Sequence, residues 1–352
     1  MKKVCLLLIS LILFPIEVFA FNSNATSTIV MSEEGQILYS NNVHEKRLIA
    51  SITKIMTAII AIESNMLDDE IVVGQEVLSM YGTSIYLEVG ESMKLIDLLY
   101  GLMLRSGNDA SVVIANHVGG SEEKFVEMMN NKANELGMEN TIFSNPHGLD
   151  EDTKNYSTAY DMALLTKYAY SNKLYRKISN TLEYEVSTND KNYLWHNRNE
   201  IIGDYKKCTG GKNGYTPSAG KTLVTTSSNS DFDIIVVTLN DGDLYNNHKN
   251  LSEYAFNNYS KYKIVDKDNF SVSKEFYEGN IYLEEDFTYL LEEDEVDKIN
   301  TLVSIKDVNK DVVGVVDVYL SDELIGSVNI KKEKAKKISW FSKIIDWICG
   351  KN

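Results

Sequence analysis

Two periodicities alternate along the chain. Between Ser27 and Ser40 the apolar runs Thr28-Ile29-Val30-Met31 and Gln36-Ile37-Leu38-Tyr39 flank Glu34-Gly35, which predicts an opening β-hairpin. Ala50 to Glu63 is a long helix-compatible run, with Ser51 at the N-cap or in the first turn. Further helices are predicted over Leu95 to Leu104, Ser111 to His117, Ser121 to Leu136 and Thr158 to Ala169. Strands return near Thr222 to Ser227 and Phe232 to Leu239. Strand-rich flanks around a helix-rich middle predict a sheet in which early and late strands meet, with helices packed on it. After about Tyr262 the pattern changes. Short alternating runs such as Lys298 to Ile305, Val312 to Leu320 and Leu324 to Ile330 predict a small all-β domain without catalytic residues. The fold class is therefore α+β, with a β-rich C-terminal addition.

The two ends follow different patterns. Lys2 and Lys3 precede an apolar run from Val4 to Phe14, and Val18-Phe19-Ala20 offers a small-x-small cleavage site. That is the form of an export signal, with the mature chain beginning near Phe21. At the other end Lys331 to Lys337 is strongly basic. On a helix drawn through the following residues, Ile338, Phe341, Ile345 and Ile348 form one stripe beside Trp340 and Trp347, while Ser339, Ser342, Lys343 and Asp346 fall opposite. A tryptophan-bearing apolar stripe preceded by lysines fits a helix lying in a membrane interface, and it is too short to cross one.

Composition removes several function classes. The 352 residues carry 51 acidic and 35 basic side chains, a formal charge of -16. A nucleic-acid ligand, which needs clustered cations, is excluded as a partner. Cys5 leaves with the signal, and Cys208 and Cys349 are too differently placed to suggest a disulfide. No Cys/His spacing resembles a metal site, so neither metal nor cofactor is expected. Cys208 reads as a buried, inert thiol.

The candidate chemistry lies in three short segments. In Ser51-Ile52-Thr53-Lys54 the two end residues share a helix face, so the Lys54 amine can reach the Ser51 hydroxyl. A serine needs such a base to become nucleophilic, and lysine can serve if burial and neighbouring cations lower its pKa. Ser106-Gly107-Asn108 stands between two predicted helices, and its glycine lets both polar side chains face one cleft. Ser106 can relay a proton to a leaving amine, and Asn108 can hold an amide. Lys212-Asn213-Gly214-Tyr215 reads as a strand edge, where Lys212 supplies positive potential for a carboxylate. The backbone N–H groups of Tyr215 and Ser51 can pair as an oxyanion hole. His147 and Asp161 read as structural residues, and Arg198 as either a substrate contact or a brace for the sheet.

Together the three segments, in this order, resemble the low-molecular-mass penicillin-binding proteins that act as serine D-Ala-D-Ala carboxypeptidases. The resemblance extends to Leu48-Ile-Ala-Ser-Ile-Thr-Lys-Ile-Met-Thr-Ala, Leu104-Arg-Ser-Gly-Asn-Asp-Ala, Asn145-Pro-His-Gly-Leu-Asp150, His196-Asn-Arg-Asn199 and Tyr215-Thr-Pro-Ser-Ala-Gly220. It implies a penicillin-binding, serine β-lactamase-like domain over residues 21–261. A β-rich domain over 262–332 and an amphipathic anchor over 333–352 would follow, with 1–20 as the signal. It also implies catalytic roles for Ser51, Lys54 and Ser106, and substrate-binding roles for Asn108, Lys212, Asn213 and Tyr215. The implied partners are peptidoglycan stem peptides, β-lactams as covalent inhibitors and a membrane surface. The implied location is outside the cytoplasmic membrane. The chain departs from the family at Asn213, where threonine is usual, which puts turnover and substrate preference in question. Endopeptidase action on cross-links, or a weakly active peptidoglycan-binding protein, are the alternatives. A β-lactamase is disfavoured by the extra domain and the tail.

Overall fold

The computed structural model describes residues 24–272, 280–306 and 310–332. The export signal and the tail helix read from the sequence lie outside the described residues. Two compact units emerge: one built from residues up to Met31 with Ile37–Ser227 and Ile234–Tyr254, the other from Ser32–Gln36, Ser228–Asp233 and the residues from Ala255 onward.

The first unit is organised on a five-stranded sheet. Strands β1 (Ser27–Ser32) and β2 (Ile37–Asn41) come from the start of the chain. Strands β3 (Cys208–Thr216), β4 (Gly220–Ser228) and β5 (Asp233–Leu239) come from much later. Their order is β2-β1-β5-β4-β3, so the early and late strands meet between β1 and β5, and β3 is left at an edge. Every residue of β1 is buried, as are six consecutive residues of β5, in keeping with strands covered on both faces.

Helix α1 (Lys54–Glu63) runs through the centre of this unit, with all but its last residue buried. Apolar residues on every side mark it as a core helix, not an amphipathic surface one. Around it stand α2 (Leu95–Tyr100), α3 (Asn108–Gly119), α4 (Glu122–Glu135) and α5 (Ala159–Ser171). Ser121 and Thr158 cap the last two through side-chain oxygens that accept backbone N–H bonds. Two elements differ from expectation. The helix predicted through Leu104 gives way at Tyr100 to a wide π-type turn over Gly101–Arg105, which delivers Ser106 in a left-handed conformation, φ 62°. A hairpin over Glu183–Ser187 and Asn192–His196 also stands where no strand was expected.

The second unit has its own core, centred on Val313, Val316, Val318, Val328 and Ile330. Ile299–Ile305, Val312–Leu320 and Glu323–Lys332 form an antiparallel meander, joined by Ile281–Leu283. The alternating burial along Val312–Leu320 is what the sequence pattern there required.

Candidate active site

The residues singled out in the sequence converge where α1, α3 and the edge strand β3 meet. Ser51 sits in a 3-10 turn, Ala50–Thr53, just before α1. In such a turn residues three apart eclipse one another. Lys54 is accordingly turned back under Ser51, with Nζ 3.1 Å from the serine Oγ.

Three acceptors surround the Lys54 amine. Besides Ser51 Oγ, Nζ lies 2.8 Å from Asn108 Oδ1 and 2.6 Å from the carbonyl oxygen of His147. The residue is wholly buried. Burial drives its pKa well below the usual lysine range, the nearby Lys212 lowers it further, and Asp109 opposes both. A neutral amine has two N–H donors and one lone pair. In that form Asn108 and His147 would occupy the donors and leave the lone pair for the Ser51 hydroxyl.

Ser106 and Asn108 are placed by the π turn and the start of α3. Ser106 is 5% exposed, and its Oγ has no hydrogen-bond partner among the described residues. Its carbonyl oxygen accepts a bond from Thr83 Oγ1 at 2.6 Å, and Asn108 N–H donates to the Thr83 carbonyl at 2.8 Å. Asn108 Nδ2 donates to the Tyr81 carbonyl at 2.7 Å, so its amide is oriented and its Oδ1 must face Lys54.

Opposite stands β3. Lys212 is 1% exposed, and burial, followed by the Arg198 guanidinium, lowers its pKa to about 7. Its Nζ donates to the carbonyl oxygen of Asn213 at 2.7 Å and to Asn213 Oδ1 at 3.3 Å. Asn213 Nδ2 in turn donates to the Arg198 carbonyl at 3.3 Å. Gly214 abuts the nucleophile: a Cβ added there would lie 2.7 Å from the Ser51 nitrogen. Tyr215 follows, largely exposed.

A cavity of about 570 Å³ opens between these elements, lined among others by Ser51, Ser106, Asn108, Arg198, Asn213 and Tyr215. Lys54 and Lys212 lie behind its wall, reached through Ser51 and Asn213. All seven candidate residues are thus brought together at one place.

Several residues that sequence reasoning had not placed hold this arrangement. Gly148 adopts φ +92°, and a Cβ on it would fall 2.0 Å from the carbonyl oxygen of Ala50. Ala50 itself is left-handed at φ 49°. Asn145 Oδ1 accepts the N–H of both His147 and Gly148, Thr57 Oγ1 donates to the Pro146 carbonyl, and Thr216 Oγ1 donates to Asp150 at 2.6 Å. The Asn145–Asp150 segment is thereby pinned to α1 on one side and β3 on the other. Asp109 is buried and accepts the N–H of Ile85 and Leu87 and the Ser84 hydroxyl, fixing the loop beside Asn108. Gly242, Asp243, Leu244 and Tyr245 also line the cavity, from a segment with no motif to mark it.

The remaining candidates take structural places. His147 Nδ1 accepts the Leu149 N–H at 3.0 Å, closing the turn, and burial lowers its pKa to about 3. Asp161 accepts from the Asn140 N–H and the Thr141 hydroxyl. Cys208 is buried and its thiol pKa is raised to about 11 by that burial, which makes it unreactive. Among the described residues no group of three His, Cys, Asp or Glu side chains is placed to hold a metal ion.

The chain is similar to known proteins in sequence and in fold. D-alanyl-D-alanine carboxypeptidase DacF of Bacillus subtilis is 37% identical over 218 residues, covering 60% of this chain and 56% of that protein. The chain therefore spans little more than half the length of that relative. Penicillin binding protein 5 of Haemophilus influenzae has the same fold, with a TM-score of 0.77 at 24% identity over 90% of this chain and 98% of that one. Penicillin binding protein 6B of Escherichia coli gives 0.72 at 25% identity, over 90% and 97%. Residues 17–243 match the model of the family Peptidase S11, D-alanyl-D-alanine carboxypeptidase, and the chain belongs to that family.

Proposed function

We propose that this chain is a serine D-Ala-D-Ala carboxypeptidase that removes the terminal D-alanine from peptidoglycan stem peptides and is acylated by β-lactams. The observation that carries this reading is the Lys54 amine: buried, 3.1 Å from Ser51 Oγ, with its other bonds taken by Asn108 and His147. A lysine so placed is neutral enough to take the serine proton.

In the proposed course, Ser51 Oγ attacks the carbonyl carbon between the two D-alanines and its proton passes to Lys54 Nζ. The oxyanion is assigned to the backbone N–H groups of Ser51 and Tyr215, a role supported by the close approach of Gly214 to the Ser51 nitrogen. As the C–N bond breaks, the departing amine takes a proton from Lys54 through Ser106. The unpartnered Ser106 Oγ suits that relay. Water then hydrolyses the acyl ester. Lys212, with Asn213, is assigned to the terminal carboxylate, and Asn108 to the peptide backbone.

Asn213 favours one refinement. Its amide is engaged by Lys212 and by the Arg198 carbonyl, so less of it is available to substrate than a threonine hydroxyl would be. Slow carboxypeptidase turnover beside intact acylation is the reading this supports. Export by the leader, a catalytic segment 21–261, a β-rich segment 262–332 acting as a spacer, and anchoring by 333–352 at the outer membrane surface complete the proposal.

The test is incubation with a fluorescent penicillin and, separately, with a peptide ending in D-Ala-D-Ala, following D-alanine release. Labelling that is lost in Ser51→Ala supports the reading; an unlabelled wild-type chain refutes it. Cleavage of a cross-linked dimer into monomers, without D-alanine release from the linear peptide, would favour the endopeptidase alternative. Asn213→Thr is expected to raise turnover more than acylation.

A further inference from the structure

Glu91 is a buried carboxylate with no part in the proposed course. It is wholly buried, immediately before the short strand Ser92–Lys94. A charge in such a place is costly unless donors surround it. The Thr188 hydroxyl donates to Oε1 at 2.9 Å, and the Tyr193 hydroxyl is shared between Oε1 at 2.8 Å and Oε2 at 2.9 Å. Glu88 N–H donates to Oε2 at 3.0 Å, and Lys191 Nζ stands 3.7 Å from the same oxygen.

Thr188, Lys191 and Tyr193 all belong to the tip of the hairpin over Glu183–Ser187 and Asn192–His196. The base of that hairpin is fastened separately. The Tyr184 hydroxyl donates to Asp97 of α2, and Trp195 packs on the π turn, where a Cβ on Gly101 would lie 3.2 Å from its ring. The tip is fastened to the loop that ends at Glu91. Lys191 Nζ donates to the Tyr86 carbonyl at 2.7 Å and to Glu88 at 2.9 Å, and Asn189 Oδ1 accepts the Ser92 N–H at 2.9 Å. Glu91 lies at the middle of these bonds, joining hairpin and loop.

The other end of the same loop reaches the catalytic centre. Gly82 and Thr83 line the cavity that holds Ser51. Thr83 bonds the Ser106 carbonyl and the Asn108 N–H, and the Tyr81 carbonyl orients the Asn108 amide. Asp109 grips the loop at its middle, through Ile85 and Leu87. Glu91 grips it at its far end.

We propose that Glu91 is a positioning residue for the catalytic centre. By docking the hairpin tip on residues 81–91, it holds Thr83 against Ser106 and so places the serine hydroxyl for proton delivery. It touches no substrate and acts through Thr83. The inference rests on the assignment of Ser106 to the proton relay.

The test follows the rate of penicillin acylation, and the fraction of chain finally labelled, in the full chain and in Glu91→Gln, Ser106→Ala and their combination. Glu91→Gln keeps the size of the side chain but sets an N–H group against the donors. It is expected to slow acylation about tenfold while labelling still runs to completion. In peptide turnover the loss should fall on kcat and leave KM unchanged, because Lys212 and Asn213 lie on β3. On top of Ser106→Ala, the same substitution should slow acylation by less than about twofold, since no hydroxyl is left to misplace. Tyr193→Phe, which removes one donor and keeps the carboxylate, should repeat the pattern at smaller size and serves if Glu91→Gln does not fold. A merely structural role would lower the labelled fraction at an unchanged rate, and that result would overturn the proposal. So would a slowing that persists in full beside Ser106→Ala. Failure of the parent reading shows differently, as an unlabelled wild-type chain or a Ser106→Ala chain that acylates at the wild-type rate.

Discussion

At Lys212, burial and the Arg198 guanidinium bring the ammonium down to about 7, so its charge changes within the neutral range. Two consequences have opposite signs. Loss of the proton as pH rises through about 7 removes the cation assigned to the substrate carboxylate, so KM should rise above that pH. In Lys212→Arg, where the charge cannot be lost, this limb should flatten. For stability, the folded state binds fewer protons than the unfolded one between about 7 and the ordinary lysine value of 10.5. Stability contributed by this group therefore rises with pH across that window, and the buried lysine costs most below it. Lys212→Met should gain roughly 1–3 kcal/mol below neutrality, an advantage shrinking toward pH 10, as urea unfolding at several pH values would show. The order of Ser51, Lys54, Ser106, Asn108 and Lys212 could be read from the sequence because each stands in a short motif. Asp109 could not: a carboxylate accepting the N–H groups of Ile85 and Leu87 does so across the fold, and nothing near it in the chain announces the loop.

Among the elements, the Asn145–Asp150 segment shows how a turn can position a base it does not contain. Gly148→Ala would drive a methyl group into the Ala50 carbonyl while forcing alanine to φ +92°. We predict a loss of about 2–4 kcal/mol in thermal or denaturant unfolding, together with slower penicillin acylation, because the displaced turn carries the His147 carbonyl that holds Lys54. Asp109→Ala should leave the core standing but loosen the loop at Ile85 and Leu87, read as faster amide exchange there and a lower acylation rate. Helices α4 and α5 were legible because their caps are local, and α1 because it is a long unbroken helix-compatible run. The break after Tyr100 was not, since the apolar run Leu102-Met103-Leu104 continues through the π turn and all three residues are buried. The hairpin over Glu183–Ser187 and Asn192–His196 did carry a signal: Tyr184 and Val186 alternate with polar residues before a turn, and the apolar run Tyr193-Leu194-Trp195 follows it.

For the whole molecule, the division into two units predicts two thermal transitions, and covalent acylation at Ser51 should raise only the one belonging to the unit that contains it. The formal charge of -16 adds self-repulsion, so both transitions should move upward when salt is raised. The short alternating strands after Tyr262 fall in the second unit, but the inclusion there of Ser32–Gln36 and Ser228–Asp233 was not legible, because contacts between distant segments leave no periodicity. The strand order β2-β1-β5-β4-β3 also governs the timing of assembly. Ser51 and Lys54 leave the ribosome early, yet β1 lacks its inner neighbour until β5 has been made, and Lys212 arrives only with β3. Such distant pairing is slow. Until those strands are made, the Ser51–Lys54 pair therefore stands on an unfinished sheet, and a chain ending between Thr216 and Asp233 would carry every reactive group of the centre without the strand that completes the sheet.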